Sequence, residues 1–100
     1  MLTIDKTIDN KNGLFKLGGR LDTNTSRDLS AAFEETLPQL DTLTLDFEKL
    51  DYISSAGLRV ILFAINTMED KSQKVKVLHA NDSIVEVLEL TGFADDLDLE

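Results

Sequence analysis

Two adjacent hydroxyls, Ser54 and Ser55, lie in the segment Leu50-Asp51-Tyr52-Ile53-Ser54-Ser55-Ala56-Gly57-Leu58-Arg59-Val60. They fall just after a strand-like stretch and at the start of an amphipathic one. Two chemistries suit a serine in that place. Its oxygen can cap the helix, accepting a backbone N–H that the first turn leaves unpaired. Alternatively it can carry a phosphoryl group, whose charge of about −1.5 to −2 is favoured by the free N–H groups and dipole of a helix N-terminus. The readings are compatible, because one serine can cap while its neighbour faces solvent. Asp22, in Gly19-Arg20-Leu21-Asp22-Thr23-Asn24-Thr25, occupies a second strand-to-helix junction, where an Asp commonly forms the cap or the turn.

Catalytic chemistry finds little material. There is no cysteine and a single histidine, His79, so thiolate nucleophiles, thiolate metal sites and imidazole clusters are excluded together. Ser54-Ser55 lacks the flanking Gly-x-Ser-x-Gly of a nucleophile elbow. Gly18-Gly19-Arg20 lacks the spacing of a phosphate-cradling loop. Carboxylates are abundant, but no pair is singled out by an apolar setting. The chain reads as a non-enzyme without cofactor or metal. Nineteen acids against ten bases give a net charge of −9, a field that repels nucleic-acid backbones and anionic lipid. The longest apolar run, Val60 to Ile65, is six residues, against the 18 or more of a membrane span. The N-terminus MLTIDK has no apolar signal core, so a cytoplasmic location is expected.

The 100 residues suffice for one domain, spanning 1–100, and 42% hydrophobic content supports one core. Leu2, Ile4 and Ile8 predict a half-exposed first strand, DNKNG (Asp9 to Gly13) a turn, and Leu14 to Leu17 a second strand ending at Gly18-Gly19. Leu29, Ala32, Phe33, Thr36 and Leu37 mark one face of a helix over Thr23 to Leu37, with Thr23, Asn24, Thr25 and Ser26 as possible caps and Pro38 as its stop. Leu43, Leu45 and Phe47 make a third strand. A second helix is predicted over Ser55 to Glu69, burying Leu58, Ile61, Leu62, Ile65 and Met68 and leaving Val60 and Phe63 off that stripe as sheet, helix or partner contacts. A fourth strand (Lys74 to Leu78), a third helix (Asp82 to Leu90, stopped by Gly92) and a short strand through Leu97 and Leu99 complete the chain. The expected architecture is α/β: a mainly parallel sheet of four to five strands with an N-terminal antiparallel hairpin and three helices. Its loops Gly19–Thr25, Leu50–Ser55 and Ala80–Ser83 should share the rim at the carboxyl ends of the strands.

The segment Tyr52 to Val60 resembles the serine loop of STAS domains, found in bacterial anti-sigma factor antagonists. Gly19-Arg20-Leu21-Asp22 resembles the Gly-x-Leu-Asp stretch that ends the family's second strand, and Glu89-Leu90-Thr91-Gly92-Phe93 the Thr/Ser-Gly-Leu/Phe stretch after its third helix. The three occur in the family's order, so the resemblance covers almost the whole chain. It implies a phosphorylation-controlled switch. The unphosphorylated domain binds an anti-sigma factor, commonly a GHKL-type serine kinase, and frees the sigma factor. The kinase phosphorylates the loop serine and a metal-dependent phosphatase reverses this. ATP belongs to the kinase. Alignment on Gly57-Leu58 places the phosphoserine on Ser55, with Ser54 the second candidate. The resemblance assigns partner contacts to Asp22, Thr23, Asn24, Ser54, Ser55, Gly57, Leu58 and Arg59. The sequence departs from many members at Ser54, where they have Asp, and at Arg59, where they have Gly. No counterpart is expected of the fourth helix that many members carry. The alternative reading is a STAS adaptor subunit in a larger assembly, such as a lipid transporter or stress-signalling scaffold, without phosphate control.

Overall fold

The computed structural model describes residues Met1 to Glu100. Strands β1 (Leu2–Asp9) and β2 (Asn12–Leu21) form the predicted antiparallel hairpin. Its turn runs through Asn10 and Lys11 at φ 50° and 67°. There follow α1 (Ser26–Thr36), a 3-10 turn (Leu37–Gln39), β3 (Thr42–Ile53), α2 (Ser55–Glu69), β4 (Val75–Leu78), α3 (Asp82–Leu90), a second 3-10 turn (Phe93–Asp96) and β5 (Leu97–Leu99). The strands lie in the order β1-β2-β3-β4-β5, and every pair after the hairpin is parallel.

Alternation along each strand sends one set of side chains to a single core. Phe15, Leu45 and Val77 are cross-strand neighbours in that set and are buried; Asp5, Lys16, Asp46 and Leu78 form a row on the opposite face. Leu29 and Phe33 of α1, Ile61, Ile65 and Met68 of α2, and Ile84 and Leu88 of α3 join the inward strand residues in one cluster of 21 buried side chains.

Four expectations change. β2 does not end at Gly18-Gly19; it continues to Leu21, because register shifts on either side of the glycines let Arg20 and Leu21 pair with Tyr52 and Ile53. β3 continues past Phe47 to Ile53, since Glu48 and Lys49 both face outward before Leu50 turns in again, a bulge that breaks the period of two. α1 starts at Ser26, and Thr25 before it makes no side-chain cap. On α2, Ala64 takes the buried place expected of Leu62, which is 38% exposed. Val60 is half-buried against the core, and Phe63 is 41% exposed.

Candidate functional site

Because β2, β3 and β4 run parallel, the loops that follow them emerge on one rim. Backbone bonds draw them together. The Ser54 N–H donates to the Leu21 carbonyl at 2.8 Å, tying the β3–α2 loop to the end of β2. The Asn81 side chain donates to the Leu50 carbonyl at 3.2 Å and accepts the Ile84 N–H at 2.9 Å, so it both caps α3 and fastens the third loop to β3.

The two serines divide the work. Ser54, in extended conformation at φ −87° and ψ 173°, is the N-cap of α2, and its Oγ accepts the Gly57 N–H at 3.1 Å. Ser55 is the first residue of the helix, exposed, and its hydroxyl has no partner within the chain. Gly57 is buried beneath the rim. A Cβ there would lie 2.7 Å from Leu21 Cγ and 2.9 Å from the Leu21 carbonyl oxygen, so glycine is what lets α2 begin against the end of β2. Gly57, expected among the partner contacts, therefore positions the loop from below. Leu58 is half-buried against the core. Arg59 is exposed one turn beyond Ser55, and the same face continues to Leu62 and Phe63.

In the β2–α1 loop, Asp22 Oδ1 accepts the N–H groups of Asn24 at 3.0 Å and Thr25 at 2.9 Å. The Ser26 N–H donates to the Asp22 carbonyl at 2.8 Å. None of the four expected hydroxyl or amide caps serves α1; the Asp22 carboxylate organises the turn instead. The Thr25 N–H bond, followed by the Thr25 hydroxyl and the Asn24 N–H, lowers the Asp22 pKa, against the opposing effect of desolvation. The Thr25 hydroxyl is engaged with the Arg20 carbonyl at 2.8 Å. Thr23 and Asn24 stand exposed at the loop tip.

Two arginines beside the serine loop were not singled out by sequence reasoning. Arg20 lies over the Tyr52 ring, 4.2 Å from its centroid, as that residue's cross-strand neighbour. Arg27, in the first turn of α1, lines a groove of about 420 Å³ between α1 and α2 together with Arg59. The resemblance itself marks position 20 as the variable residue of Gly-x-Leu-Asp. For Arg27 no local signal exists, because its meeting with Arg59 depends on how two helices pack.

Comparison with known proteins agrees with this architecture. The sequence model of the family described as "Mlab, STAS domain" matches residues 4–99. BtrV of Bordetella bronchiseptica, a protein named as an anti-sigma factor antagonist, is 37% identical over 51 residues, which are 51% of this chain and 44% of that protein. The chain thus spans less than half the length of that curated relative. Among solved structures, an anti-sigma factor antagonist from Mycobacterium paratuberculosis superposes with a TM-score of 0.87 at 16% identity, covering 99% of this chain and 85% of that one. The Bacillus cell fate determinant SpoIIAA, in its phosphorylated form, gives 0.77 at 17% identity, covering 100% and 91%. At these identities the structural likeness speaks for the fold.

Proposed function

The chain belongs to the STAS domain family, and from that premise we propose that it is an anti-sigma factor antagonist switched by phosphorylation of Ser55. The observation that carries this reading is the division between the serines. Capping occupies the Ser54 oxygen, while the Ser55 hydroxyl stands free and exposed on the rim. Of the neighbouring hydroxyls, Thr25 is also committed, to the Arg20 carbonyl. A GHKL-type serine kinase that doubles as the anti-sigma factor is the partner. The Ser55 oxygen takes the γ-phosphoryl group of the kinase's ATP, its proton passes to the kinase's base, and ADP leaves. A metal-dependent phosphatase hydrolyses the phosphoserine.

The partner covers the rim: the Thr23-Asn24 tip, Ser55, Arg59 and the exposed apolar pair Leu62 and Phe63. Taking a phosphate dianion out of water under such a contact is costly even where a cation pairs with it, so phosphorylation releases the partner. The test is phosphate mapping after incubation with kinase and ATP, followed by titration of the partner. Phosphate is expected on Ser55. Ser55→Ala should bind normally and resist inactivation. Ser55→Asp, with one charge and no phosphate geometry, should weaken binding less than phosphorylation does. Phosphate on Ser54 or Thr25, or tighter binding by the phosphorylated form, would overturn the proposal.

A second reading, a STAS adaptor subunit without phosphate control, has one observation in its favour: the matching family model carries the name Mlab rather than that of an antagonist. Absence of phosphate transfer, with stable capture into a larger assembly, would select it.

A further inference from the structure

The three arginines of this chain, Arg20, Arg27 and Arg59, lie at the last residues of β2, the first turn of α1 and the second turn of α2. All three therefore border the carboxyl rim. The lysines lie elsewhere, on the strands, in the hairpin turn and between α2 and β4. No arginine is in an ion pair: Lys76 pairs with Glu100, and the remaining close contact of this kind joins the His79 ring to Asp46. Arg20 is committed to the face of Tyr52. Arg27 and Arg59 remain, and they converge on the groove between α1 and α2, whose lining includes Ala56, the residue after Ser55. Ser55 and Arg59 are i and i+4 on α2, neighbours on one helix face with Cβ atoms about 5–6 Å apart. A guanidinium presents a planar fork of donors that matches phosphate oxygens two at a time.

We propose that Arg59 and Arg27 form an intramolecular clamp for a phosphate carried on Ser55, Arg59 from the same helix and Arg27 from across the groove. This rests on the reading of Ser55 as the phosphoacceptor and adds to it how the modified state is held. Phosphorylation then does more than add negative charge to the rim. It also withdraws from a partner the two cations available in the groove. A Ser55→Asp side chain is shorter than phosphoserine and carries one charge, so it should engage the clamp less, which gives the incomplete mimicry a cause.

The clamp is testable without kinase or partner, by installing phosphoserine at position 55 of the full chain through an expanded genetic code and titrating it by phosphorus NMR. The charged groups lining the groove are Arg27 and Glu34 from α1 and Arg59 from α2. Asp22, Asp51 and Arg20 border the rim beyond Ser54, and Asp28 shares the first turn of α1. In a chain of net charge −9 like charge disfavours the phosphate dianion, whose ordinary second pKa is about 6, while the free N–H groups at the start of α2 favour it. The clamp should depress the midpoint by roughly a further half unit to one unit, a contribution that the arginine variants isolate. Arg59→Gln and Arg27→Gln should each move it back upward. Lys76→Gln, which removes the same charge from β4, should leave it in place. Arginine variants that shift it no more than Lys76→Gln would overturn the clamp and leave Ser55 as phosphoacceptor. Failure of a kinase to modify Ser55 would instead undo the functional reading, so the two are distinguishable.

Discussion

A hydroxyl is available for chemistry only when the backbone has not already claimed it, and on this rim the claims are explicit. Ser54 and Thr25 are engaged, Ser55 is not. The same accounting assigns Asp22. Its Oδ1 takes two loop N–H groups, so it holds the β2–α1 turn. The Thr25 N–H, the leading cause, keeps the folded-state pKa of Asp22 below the ordinary 3.8. A depressed carboxyl pKa contributes stability above the unfolded value, and that contribution is lost as pH falls through the folded one. Asp22→Ala should therefore melt below wild type at pH 7. The gap should narrow as the pH falls below about 4 and through the lower folded-state value. Thermal melts across that range check this. A gap that stays constant would mean that the turn does not depend on the charge.

At the scale of elements, the question is why α2 begins where it does. Ser54 caps it, and Gly57 lets its first turn lie against Leu21, so the serine loop is held by a close approach between a helix and the end of a strand. Gly57→Ala would gain about 1 kcal/mol of helix propensity. It would also drive a methyl into a backbone oxygen, and overpacking of this kind costs about 1–3 kcal/mol. Because a carbonyl fixed in a strand cannot swing aside, a net loss is expected, together with displaced Ser54 and Ser55 amide signals in a nitrogen–proton correlation spectrum. A variant as stable as wild type with those signals unmoved would refute this. Elements closed by local chemistry were legible in the sequence: α2 and α3 have the predicted bounds, Ser55–Glu69 and Asp82–Leu90, because side-chain caps and helical periodicity are local signals. β2 and β3 extend beyond their predicted ends because bulges interrupt the alternation, and pairing between Arg20 and Tyr52 is a tertiary event with no local trace. Leu62 satisfies the helical spacing yet lies outside, because the neighbouring elements cover the face centred on Ile61, Ala64 and Ile65. The Arg27–Arg59 groove was invisible for the same reason.

Across the whole molecule, two opposing contributions set the balance. A core of 21 buried side chains draws the helices onto one face of the sheet. Against it stands a net charge of −9 within principal extents of 31, 27 and 20 Å. Nineteen acids share one lysine ion pair, Lys76–Glu100, and one contact with an imidazole, His79–Asp46, so most carboxylates face water without a close cation. The whole molecule, 31 Å in its longest extent, lies within about one Debye length at 0.01 M salt, where that length is about 30 Å, and spans several at 0.15 M, where it is about 8 Å. Self-repulsion of this kind weakens the compact state and is relieved as the unfolded chain spreads its charges apart. Sodium chloride should therefore raise the melting temperature from low ionic strength upward. If screening recovers about 1 kcal/mol, the rise is about 4–8 °C for a domain of this size. Screening also dictates the shape of the curve: most of the gain should come below about 0.3 M, where the Debye length shrinks fastest, and the curve should then flatten. Scanning calorimetry from 0.01 to about 1 M salt at pH 7 reads this directly. A melting temperature that falls over the first 0.3 M would mean that favourable charge pairs outweigh the repulsion, contrary to the sparse pairing seen on this surface.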